Sequence, residues 1–80
     1  MITEENKELI LINRYIQAEI MDKMCKTSDS KEIYILANFL HQIEIYEYLM
    51  NGKYITFEEG RKNLRSVREM YSDYKKETNQ

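Results

Sequence analysis

Asn51-Gly52-Lys53-Tyr54-Ile55-Thr56-Phe57-Glu58-Glu59 decides the fold, because a helix stop and a helix start lie side by side in it. Asn51 and Gly52 both tolerate the left-handed backbone that closes a helix. Thr56 with Glu59 three residues later makes a capping box, in which hydroxyl and carboxylate each satisfy an amide that the first helical turn leaves without a partner. One helix therefore ends near residue 50 and another begins near 57. Lys53-Tyr54-Ile55, between them, is expected to be briefly extended, with no strand to pair with.

Downstream, Phe57, Gly60, Leu64, Val67, Tyr71 and Tyr74 recur at alternating spacings of three and four, a narrow apolar stripe on a helix running to about 76. Gly60 interrupts that stripe at about 1 kcal/mol of helix propensity, which predicts a close backbone crossing there. Upstream, Asp29 with Glu32 marks another helix start, with Ser28 and Ser30 as rival caps, so the middle helix spans about 30–50. The first helix spans about 4–26, opened by Thr3 with Glu4 and Glu5. It closes with Lys23 and Lys26, the charge a helix C-terminus prefers, and Thr27-Ser28-Asp29-Ser30 then turns the chain. The sequence contains no proline, and nothing opposes helix over these long stretches. The expectation is an all-α, up-down-up three-helix bundle, one domain over 1–80 with its last few residues disordered.

Eighty residues form a small core, which rarely supplies more than about 3–5 kcal/mol unaided. Cys25 is the only cysteine, so no intrachain disulfide can assist, and a lone thiol suits the cytoplasm. No run approaches the ~20 apolar residues of a membrane span, and Met1-Ile2-Thr3-Glu4-Glu5 lacks the basic and apolar regions of a signal peptide. The chain is thus expected to be cytoplasmic, away from membranes, and in need of a partner.

Two helices carry more apolar surface than an isolated bundle needs. On the first, Leu9, Ile12, Ile16 and Ile20 occupy one face, while Leu11, Tyr15, Ala18 and Cys25 occupy roughly the opposite one, as if awaiting a second copy or another protein. The middle helix directs Ile33, Leu36, Phe39, Leu40, Ile43, Tyr46 and Met50 inward. Its other side lines up Tyr34, Asn38, His41, Ile45 and Tyr48. Tyrosine and histidine join an apolar body to a polar tip, as a contact surface exposed to water requires.

Chemistry is not indicated. His41 is the sole histidine, and an antiparallel first hairpin separates it from Cys25 by roughly 12 Å along the axis, so no nucleophile–base pair forms. One His and one Cys cannot build a zinc site, Glu44 and Glu47 lack a ligating loop, and the two glycines are isolated rather than forming a phosphate loop. No catalytic residue, cofactor or metal is expected.

Charge is uneven within a net of −2. Residues 27–50 hold one basic and four acidic side chains, residues 51–80 seven basic and five acidic ones. Arg61, Arg65 and Arg68 share a flank of the third helix, with Lys62 adjoining, and suit phosphate or an acidic surface. Against this stand Glu58, Glu59, Glu69 and Asp73 on the same helix, which would repel phosphate. Seven tyrosines favour protein recognition, since tyrosine buries much area for little lost entropy. The expected function is a non-enzymatic protein-binding module, a stoichiometric inhibitor or regulator such as an antitoxin or a phage-encoded inhibitor of a host enzyme. It would present Tyr34, His41, Ile45, Tyr48, Leu11 and Tyr15, with homodimerisation also expected. The alternatives are a nucleic-acid-associated regulator using Arg61, Lys62, Arg65 and Arg68, and a structural or assembly subunit.

Overall fold

The computed structural model describes residues 4–78, apart from the side chains of residues 5 and 6. Three helices account for almost all of it: α1 (Glu4–Lys26), α2 (Ser30–Asn51) and α3 (Phe57–Thr78), with α1 packed on α2 and α2 on α3. The protein is an all-α three-helix bundle, with no strand among the described residues. The chain divides into two compact units, Met1–Leu40 and His41–Gln80, the boundary falling within α2. The expected cap at Thr3 lies outside the described residues. So does part of the tail expected to be disordered, residues 79–80, whereas α3 itself continues to Thr78.

In the first unit, the turn at 27–29 is built by two hydroxyl and carboxylate caps acting together. The Asp29 carboxylate accepts from the Lys31 amide at 3.0 Å, which makes Asp29 the cap in preference to Ser28 or Ser30. Glu32 does not return to the Asp29 amide as a simple capping box would require. The Asp29 amide donates instead to the Thr27 hydroxyl, at 3.2 Å, and that hydroxyl donates to Glu32, also at 3.2 Å. Thr27 thus relays the reciprocal half of the box.

The buried face of α1 differs from the expected one. Leu9, Asn13, Gln17 and Ile20 are buried and Ile16 is half-buried, whereas Ile12 is 44% exposed. Leu9 and Ile20 anchor the stripe, and the 3.6-residue repeat then brings Asn13 and Gln17 between them while placing Ile12 ~60° round from Leu9. Gln17 accepts a hydrogen bond from the Arg14 guanidinium at 2.6 Å. The Asn13 side-chain oxygen is buried and has no hydrogen-bond partner among the described residues. From α2, Leu36 and Phe39 complete the buried set of this unit.

In the second unit, α2 ends in a Schellman arrangement set one residue later than the Asn51-Gly52 pair suggests. The Tyr54 amide donates to the Leu49 carbonyl at 2.9 Å and the Lys53 amide to the Met50 carbonyl at 3.1 Å. The left-handed residue is therefore Lys53, with φ of 60°, and not Gly52. Nor is Lys53-Tyr54-Ile55 extended. Gly52 serves another purpose, because a Cβ there would lie 2.5 Å from the Tyr54 ring. The absent side chain is what lets Tyr54 fold back over the helix end.

Thr56 caps α3, its hydroxyl accepting from the Glu59 amide at 3.1 Å. The stripe read from the sequence is the buried one: Gly60, Leu64, Val67 and Tyr71 are buried, with Phe57 and Tyr74 half-buried. Ile43 of α2 is fully buried in this unit as well. Gly60 does mark a close approach, but to a side chain rather than a backbone, since a Cβ there would overlap Cγ and Sδ of Met50. The glycine costs about 1 kcal/mol of helix propensity and leaves room for the methionine.

Candidate interaction surfaces

All six residues read as protein contacts are exposed. On α1, Leu11 is 68% and Tyr15 72% exposed, and Ile10, Met21, Ala18 and Cys25 are exposed beside them. The reason is geometric. Once Leu9, Asn13, Gln17 and Ile20 face the core, residues 11, 15 and 18 must point away from it. Arg14 donates a hydrogen bond to Gln17. Cys25, expected to act as a small hydrophobe, stands in solvent.

The first part of α2 exposes Tyr34 and Asn38, and the part in the second unit exposes His41, Glu44, Ile45 and Tyr48. Tyr48 is not isolated. Its ring stacks on that of Tyr54, with centroids 5.9 Å apart and planes 19° from parallel, and both rings are about two-thirds exposed. Tyr54 was not among the residues singled out from the sequence. It reaches Tyr48 only because the Schellman turn reverses the chain and Gly52 clears its path.

The basic flank of α3 is real but mixed. Arg61, Lys62 and Arg65 border one shallow depression of about 310 Å³, together with Glu58 and Glu59. Three cations against two carboxylates leave a surplus of one, a weak field for phosphate. Arg61 also lies over the Phe57 ring, 4.9 Å from its centroid. Arg68 does not border the depression. It is half-buried, with one guanidinium nitrogen fully enclosed and without a hydrogen-bond partner among the described residues.

Cys25 and His41 are both exposed, and no group of three or more His, Cys, Asp or Glu residues could hold a metal ion among the described residues. No helix among them is long and apolar enough to cross a membrane. The described surface includes aromatic and aliphatic faces on α1 and α2 and a mixed-charge depression on α3. No protein-family model, curated protein or solved structure matches the chain.

Proposed function

We propose that this chain is a small non-enzymatic protein-binding module that works by stoichiometric contact, as an inhibitor or regulator. By analogy of size and surface, an antitoxin or a phage-encoded inhibitor of a host enzyme is the kind of protein meant, and the cytoplasm its place. The observation that carries the proposal is the exposure of Tyr34, Ile45 and Tyr48 on α2 and of Leu11 and Tyr15 on α1, where an isolated bundle would show charge. Large aromatic side chains at such positions dominate binding energy when a partner covers them. The α1 face also suits a second copy of the chain, which makes a homodimer part of the proposal.

A second reading, binding of nucleic acid or another anion, draws on the gathering of Arg61, Lys62 and Arg65 around one depression. Glu58 and Glu59 in the same depression argue against it. Affinity capture from the native host, identified by mass spectrometry and repeated with Tyr48→Ala and Arg65→Glu, separates the two. Loss of the captured protein with Tyr48→Ala alone supports the protein-binding module. Loss with Arg65→Glu alone favours the anion reading, and loss with neither refutes both surfaces.

A further inference from the structure

We infer that the stacked pair Tyr48–Tyr54, with Glu44 one turn away, is a docking site for an arginine side chain carried by the partner protein. The inference rests on the protein-binding proposal above and names the chemistry that the second-unit end of its α2 face selects.

Four observations converge on it. The rings are stacked and about two-thirds exposed, so the pair presents π surface to solvent. The arrangement is built into the turn, since any side chain at position 52 would collide with the Tyr54 ring. Elsewhere in this unit, aromatic rings are already covered by cations: Arg61 lies over Phe57 and Lys75 over Tyr71, each 4.9 Å from the ring centroid. Among the described residues, neither Tyr48 nor Tyr54 has such a cation. A ring face attracts a cation through its quadrupole, and a guanidinium can stack flat on it.

Charge supplies the fourth. The last turns of α1 and α3 each hold two lysines, Lys23 with Lys26 and Lys75 with Lys76, whereas that of α2 holds no basic residue. The negative end of the α2 dipole is thus less compensated than the other two. Glu44 is exposed at four residues from Tyr48, on the same side of α2, and Lys53 stands beyond the helix end. The negative helix end and the Glu44 carboxylate favour a cation over phosphate, so a nucleic-acid strand stacking its bases on the tyrosines is the disfavoured occupant. Arginine suits the site better than lysine because its planar head can stack on a tyrosine face and still offer N–H groups to a carboxylate such as Glu44.

The test uses the full chain and a capped tetra-arginine peptide as probe, with the ring resonances of Tyr48 and Tyr54 followed by NMR. A tetra-citrulline peptide of the same shape but without charge, and an oligo-dT strand, serve as comparisons. The expected result is a saturable shift of both rings with the arginine peptide and binding of the citrulline peptide weaker by roughly tenfold. Tyr54→Ala should lose the same factor, Tyr54→Phe should retain binding because the ring face persists, and Glu44→Gln should weaken it by about two- to fivefold. Because Tyr54 lies on the surface of a turn, its replacement leaves the three helices in place, which the amide spectrum verifies. Equal binding of both peptides overturns the cation inference while leaving an apolar protein-docking face intact. Oligo-dT shifting the rings, or an arginine effect indifferent to Tyr54→Ala, also overturns it.

Discussion

α1 and α3 are similar in length, yet the faces they bury differ in kind. α3 buries the stripe its sequence advertises, with Leu64, Val67 and Tyr71 inward and most of its charges outward, Arg68 being half-buried. α1 buries Asn13 and Gln17 while Leu11, Tyr15 and Met21 stand in solvent. In α3 the local pattern and the packing agree, which is how a sequence specifies one structure. In α1 they conflict, as the binding role proposed for its second face would require.

Breaking α3 should have the largest effect. Leu64 is fully buried, so Leu64→Ala removes transfer energy and opens a cavity, lowering stability by about 2–5 kcal/mol in chemical denaturation. That is a large part of what so small a core supplies, and loss of cooperative unfolding is the expected outcome. A change near zero would mean that α3 is not the anchor of its unit.

Asn13→Leu sharpens the contrast from the other side. It replaces a buried oxygen that lacks a hydrogen bond with apolar volume, and the chain should gain about 1–3 kcal/mol. A loss of stability would show that the polar stripe of α1 is satisfied within the fold and that pattern and packing do not conflict there. Leu11→Glu should have the smallest effect on folding, within about 0.5 kcal/mol, because Leu11 is exposed. Sedimentation at micromolar concentration should nevertheless respond: the parent chain self-associates and the variant does not. A parent chain that stays monomeric removes the homodimer from the proposal.

Much of the fold was legible because caps are local. Thr56 and Glu59, or the lysines closing α1, act through neighbours three or four residues away, and the three helices begin and end within two residues of expectation. The α3 stripe was equally plain, since only one face of that helix is apolar. α1 was not, because two faces competed and the neighbouring helix chose one that includes Asn13 and Gln17. The position of the left-handed residue was missed for a related reason. Asn51-Gly52 carries the propensity, but the hydrogen bonds to Leu49 and Met50 place the reversal at Lys53. Of the candidate surfaces, exposure of Tyr34, His41, Ile45 and Tyr48 followed from helical periodicity. The Tyr48–Tyr54 stack did not, since it needs the chain to turn back over Gly52. Helical angle alone groups Arg68 with the basic flank, but it does not border the depression that Arg61 and Arg65 line, and one of its guanidinium nitrogens is enclosed.

The central claim, that the aromatic surface and not the basic flank is what the chain uses, is tested most directly by the salt dependence of affinity for the captured partner. A contact built on Tyr48 and Ile45, with at most one ion pair at Glu44, should weaken by less than about tenfold between roughly 50 and 200 mM salt. Three phosphate contacts through Arg61, Lys62 and Arg65 would instead weaken it by roughly 40-fold over the same range, and that steep fall would contradict the account.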